Sequence, residues 1–179
     1  MSWKNIVGNV GVNQYEKRIK ELKEKGIDTG SIEDTVTSTI ANLKAAKGKS
    51  FVIFGEPQSG KTEMMIALNA KLLDEGHGVI INLLTDSIDL LGQSLSRFRS
   101  SGLSPSPKQF SELPEKAEDL EGHKWLIFSK KNARDLEKLI EVLKLTKRII
   151  VIDDEADYAS PNAKINKNEI TTINKLIKT

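Results

Sequence analysis

The chain has 179 residues, enough for one domain with a proper core and room for a small appendage. Hydrophobic residues make up 38% and charged residues 29%, a globular balance, and no apolar run approaches the ~20 residues of a membrane-spanning helix. Cysteine is absent, which excludes disulfides, thiolate metal sites and thiol nucleophiles, and a net charge of +2 is too small to argue for nucleic acid by itself.

The N-terminus "MSWKNIVGNVGVNQ" lacks the charged-then-apolar layout of a signal peptide, so a cytoplasmic location away from membranes is expected. Two helices come first. "NQYEKRIKELKEKG" (13–26) sets Tyr15, Ile19 and Leu22 on one stripe, with Gly26 as a stop. "SIEDTVTSTIANLKAAKG" (31–48) opens on Ser31, an expected N-cap, and repeats Ile32, Val36, Ile40 and Leu43 at helical spacing. Beyond them, short apolar runs alternate with amphipathic segments. "FVIF" (51–54), "GVIINLL" (78–84), "WLIFS" (125–129) and "RIIVID" (148–153) read as strands. Helices are expected from Lys61 to Glu75, over 87–100 and over 133–145, the last with Leu136, Leu139, Ile140 and Leu143 on one face. The Ser- and Pro-rich stretch 101–124 reads mostly as loop. Near-continuous apolar strands between helices imply an α/β fold with a parallel sheet covered on both faces.

Between "FVIF" and the helix from Lys61 lies "GEPQSGKT", a complete P-loop pattern of Gly55, Glu56, Pro57, Gln58, Ser59, Gly60, Lys61 and Thr62. Its glycines allow torsions that turn successive N–H groups towards phosphate oxygens. Lys61 would reach the β- and γ-phosphates of ATP, and Thr62 would offer its hydroxyl to Mg²⁺. The helix N-terminus, with Glu63 in its first turn, adds a favourable dipole. A P-loop also needs a carboxylate at the tip of a neighbouring strand to hold the metal's water shell. "RIIVIDDEADYAS" supplies Asp153, Asp154, Glu155 and Asp157 at a strand's C-terminal end, where ligands sit in open α/β sheets. Lys61 and Asp154 lie 93 positions apart (154 minus 61), room for two βα units. Asp154 is the expected metal-side carboxylate and Glu155 the expected general base orienting water. Four carboxyl groups so close would repel one another without a cation nearby.

"GEPQSGKT" together with "DEAD" at 154–157 resembles motifs I and II of superfamily 2 helicases and translocases. The resemblance implies a RecA-like ATPase fold over residues 49–179, with 1–48 as a helical extension. "PQSGKT", "FSKKN" and "VIDDEADYASPN" followed by "NEITTIN" also resemble the Z-one domain, an endonuclease-associated ATPase family of bacterial restriction and phage-defence loci. By the same likeness, "TDSIDLLGQSLSRFR" (85–99) takes the place of motif Ia, so Thr85, Gln93 and Arg97 would contact nucleic-acid phosphates, with DNA the expected partner. Lys130, Lys131 and Asn132 would do so from the next strand end. No adenine-reading Gln motif precedes the P-loop. Such motors take an arginine finger from a second RecA-like domain in cis, and only 22 residues follow Asp157 (179 minus 157), so the chain is expected to be an N-terminal piece of a longer protein. A nuclease or other defence subunit is an expected partner.

The alternative reading is a nucleotide-gated interaction module that moves no strand; a small-molecule kinase fits less well, because no Arg-rich lid segment is visible. His77 and His123, without cysteine, make no zinc site. Alone, the 179-residue chain is expected to bind nucleotide weakly and hydrolyse it slowly. Several turnovers per second in a phosphate-release assay, lost on Lys61→Ala, would contradict this.

Overall fold

The computed structural model describes residues 13–45, 50, 52–54, 60–120, 122–146 and 148–156. The chain falls into two compact units, Met1–Gly76 and His77–Thr179.

In the first unit, α1 (Gln14–Glu24) and α2 (Gly30–Ala45) each pack on α3 (Lys61–Asp74). Asn13 starts α1, its side-chain oxygen accepting the Glu16 N–H at 3.0 Å, and Tyr15, Ile19 and Leu22 form its buried stripe. The Asp74 carboxylate at the end of α3 accepts the backbone N–H groups of Gln14 (3.2 Å) and Tyr15 (2.9 Å). It thereby satisfies two donors that the helix itself leaves open, with the charge sign the helix dipole favours. Ile32, Val36 and Ile40 are the buried face of α2. That helix begins before the expected cap: Ser31 lies inside it and is exposed, while Thr29 is buried at its start and donates its hydroxyl to Glu33 at 2.5 Å.

Residues 52–54 form no strand, contrary to the reading of "FVIF"; Val52 is 85% and Phe54 89% exposed. Their apolar composition carries a tendency only, because a strand exists through hydrogen bonds to a partner. Phe51 lies outside the described residues.

Among its described residues the second unit holds a sheet of four strands, all parallel, in the order β2–β3–β1–β4. These are β1 (Val79–Leu84), β2 (Lys108–Gln109), β3 (Trp125–Lys130) and β4 (Ile149–Asp153). The alternation of apolar runs and helices therefore produces an α/β fold of the RecA-like kind. β1 is buried along its whole length, as a strand flanked on both edges should be. α4 (Ile88–Ser100) and α5 (Ala133–Leu143) both pack against β3. Val79, Ile81, Leu83 and Ile127 form one core with Leu136, Leu139 and Leu143 of α5. Because strand side chains alternate, Phe128 points to the opposite face, where its ring meets Phe98 of α4 edge-on at 4.7 Å and 69°. The region 101–124, expected as loop, contributes β2 and two 3-10 turns, Phe110–Glu112 and Ala117–Leu120. Arg99 anchors this excursion, donating to the Pro107 carbonyl (3.1 Å) and to both oxygens of Glu112 (2.9 and 2.7 Å). No helix among the described residues is long and apolar enough to cross a membrane.

Phe98 is 1% exposed, so Phe98→Ala should cost about 3–5 kcal/mol through lost burial and the cavity left behind. Urea unfolding should show a lower midpoint at an unchanged m-value.

Candidate functional site

The two units carry different parts of the expected chemistry. In the first, Gly60 stands at the start of α3 with φ +77°, a left-handed conformation that glycine adopts without steric cost. A Cβ added there would meet nothing within 4 Å, so the demand for glycine is torsional rather than spatial. The Gly60 carbonyl accepts the Met64 N–H at 3.1 Å and starts the helix, yet no Gly60 side chain exists to cap the first turn. Donors of that kind at a helix start suit phosphate oxygens, so the described end of the loop fits a nucleotide. Lys61 is exposed and Thr62 half-buried. Glu63, expected beside the nucleotide, pairs through its carboxylate with Arg18 of α1, which also pairs with Glu21 at 3.2 Å. Gly55, Glu56, Pro57, Gln58 and Ser59 lie outside the described residues.

In the second unit the parallel register brings three strand ends to one edge. Leu84 pairs with Lys130 and Leu83 with Asp153, and the Asp154 N–H donates to the Leu83 carbonyl at 3.0 Å. Lys130 is the last residue of β3, and Thr85, Lys131, Asn132, Asp154 and Glu155 follow directly from those ends. Thr85, Asp86, Ser87, Leu90 and Glu155 line a pocket of about 270 Å³. Of these, Asp86, Ser87 and Leu90 carried no expected role of their own within 85–99; the turn after β1 and the start of α4 bring them here. Gln93 and Arg97 are exposed one helical turn apart on α4 and do not line the pocket.

Three neighbouring residues expected at nucleic-acid phosphates have intramolecular work. Lys130 pairs with Asp86 at 3.2 Å and approaches Asp135 at 3.9 Å. Asn132 caps α5, its side-chain oxygen accepting the Asp135 N–H at 2.9 Å while its amide donates to Asp86 at 3.0 Å. Hydrogen bonds from Asn132 first, then Lys130, hold the Asp86 carboxyl below the usual carboxylate range. Lys131 cannot reach a phosphate. Its side chain is 0% exposed and its ammonium is turned inwards onto Asp153, 3.0 Å away, and onto two backbone carbonyls. Adjacent lysines look alike in a sequence; at the end of β3 one is half-buried beside Asp86 and the next is fully buried beside Asp153.

Lys131 also supplies a cation that the acidic cluster was expected to require. It neutralises Asp153, whereas Asp154 and Glu155 enter no ion pair among the described residues. Asp157 lies outside them. No group of three or more His, Asp or Glu side chains among the described residues could hold a metal. Mg²⁺ in phosphate sites takes one or two carboxylates plus phosphate oxygens and water, and half-buried Asp154 fits that mode.

A family model described as SWI2/SNF2 ATPase matches residues 31–175, a span that includes the loop before α3 and the acidic end of β4. No curated protein and no solved structure matches the chain significantly.

Asp86 has a folded pKa below its unfolded one, so its contribution is present above about pH 3.9 and is lost as pH falls through the folded value. Asn132→Ala should raise the Asp86 pKa towards the ordinary value in an NMR titration. Loss of the α5 cap should at the same time cost about 1 kcal/mol at neutral pH.

Proposed function

Because the chain belongs to the SWI2/SNF2 ATPase family, we propose that it is the ATP-binding first motor domain of a helicase or translocase acting on DNA. The match makes ATP hydrolysis the family's chemistry. The observation that carries the reading to individual residues is the P-loop pattern running into α3, with Gly60 left-handed at the helix start. Lys61 holds the β- and γ-phosphates, and the first-turn N–H groups of α3 share their charge. Thr62 in the first unit and Asp154 in the second would each offer an oxygen to Mg²⁺, which would supply charge neutralisation to the phosphate oxygens. Glu155 orients the attacking water and takes its proton.

For DNA, the support is the position of Thr85 at the C-terminal edge of the sheet and the exposed Gln93 and Arg97 on the helix that follows. Lys130 and Asn132 act there through Asp86 rather than on a phosphate. A second RecA-like domain supplies the arginine that completes hydrolysis, and the spelling of "PQSGKT", "FSKKN" and "VIDDEADYASPN" supports service beside a nuclease in phage defence. One observation favours a second reading, a nucleotide-gated interaction module: Arg18 of α1 holds Glu63 in the first turn of α3, so occupancy of the loop can be felt by the N-terminal helices.

DNA affinity of the chain, titrated with salt in the presence of ATP and Mg²⁺, separates the two. A motor domain should bind more tightly with nucleotide, with log K falling linearly in log salt, and Arg97→Ala should lower that slope by about 1. Lys61→Ala should abolish the nucleotide effect. No DNA affinity at low salt, with or without ATP, would leave the gated module.

A further inference from the structure

Lys131 is the only charged residue that is buried among the described residues. Such a charge is retained only where it is paired and hydrogen-bonded. Three oxygens surround this one: the Asp154 carbonyl at 2.8 Å, the Glu155 carbonyl at 2.8 Å and Asp153 Oδ1 at 3.0 Å. The two carbonyls accept hydrogen bonds from the ammonium, and Asp153 meets it as an ion pair. The carboxylate balances the charge, while the hydrogen bonds go to two consecutive backbone carbonyls, which ties the ammonium to the course of the chain there.

Those carbonyls bracket the backbone torsions of Glu155. Glu155 has φ +52°, in the left-handed region that residues with a Cβ resist. Turned that way, the chain directs consecutive carbonyls to the same side, where one cation can take both. Asp154 is fixed from the other direction, because its N–H is bonded to Leu83 of β1.

We propose that Lys131 is the positioning residue of the acidic strand end: it grips the carbonyls on either side of the Glu155 torsions, holds that residue left-handed, and so sets where the Asp154 and Glu155 carboxylates project. By engaging Asp153 it also leaves Asp154, not its neighbour, as the carboxylate open to a cation. The inference rests on the reading of Asp154 and Glu155 as the metal side and base of an ATP site. Lys131 touches neither nucleotide nor metal; it acts through the backbone, as outer-shell partners do when they orient a ligand.

The test uses the 179-residue chain and a fluorescent ATP analogue titrated in Mg²⁺ and in EDTA, with the ratio of the two affinities as readout. Lys131→Met alone strands the Asp153 carboxylate, which endangers folding, so the decisive variant is Lys131→Met with Asp153→Asn, which removes both charges. Thermal unfolding confirms that it folds. The double variant should lose about 10- to 100-fold of the Mg²⁺-dependent gain while its affinity in EDTA stays unchanged. Without nucleotide, its Asp154 amide should exchange hydrogen faster than in the parent chain. A folded double variant with the full Mg²⁺ gain overturns the inference and leaves Lys131 as charge compensation. If the parent chain shows no Mg²⁺-dependent gain, the reading of Asp154 and Glu155 as the metal edge fails instead. The exchange measurement then decides the role of Lys131 separately: faster exchange supports the hold on the turn, and unchanged exchange refutes it.

Discussion

Parallel pairing of β1 with both β3 and β4 brings the C-terminal ends of all three strands to one edge, and the chemistry of the second unit depends on that constraint. Thr85, the run Lys130 to Asn132, and Asp154 with Glu155 are far apart in sequence; each lies within two residues of a strand end. The edge is crowded with charge. Asp86, Lys130, Asn132 and Asp135 form one network at its surface, and Lys131 with Asp153 forms a second beneath it. The two lysines thus sort the carboxylates: Asp86 and Asp153 are paired, and Asp154 and Glu155 are left for other partners.

The first unit handles a different problem, the presentation of a helix start. α3 opens on a left-handed Gly60, whose torsions and open first-turn donors cost stability in an isolated helix. The rest of the unit supplies what the turn does not. α1 and α2 bury their apolar stripes on α3, Asp74 satisfies the donors that open α1, and Arg18 fixes Glu63 one residue beyond Thr62. Residues 14–45 therefore serve α3 as scaffold.

Much of this was legible in the residues. The helices over 14–24, 61–74, 88–100 and 133–143 follow from the spacing of their apolar residues, since a 3.6-residue period declares a buried face without reference to a partner. Three of the four expected strands were found for a related reason: runs such as "VIINLL" have no polar side and are stable only inside a sheet. The misreadings share one cause. "FVIF" has the composition of a strand, but residues 52–54 pair with nothing in the sheet, and Lys108–Gln109 has no such composition, yet pairs with β3. Ser31 and Thr29 are equally good caps by type; the hydroxyl that meets Glu33 is settled by where the helix begins.

By itself, the sequence determined the fold class, the loop pattern ending in Gly60, Lys61 and Thr62, and the acidic strand end at Asp154 and Glu155. Local spacing and residue chemistry suffice for these. Only the tertiary structure decided which side chains are available at that edge. Lys130, Lys131 and Asn132 looked like three exposed donors for a phosphate backbone. Strand register and pleat gave two of them to Asp86 and buried the third against Asp153 and the Glu155 turn. Burial decides this, because a charge taken out of water binds the oxygens nearest to it, and no sequence spacing reports which those are.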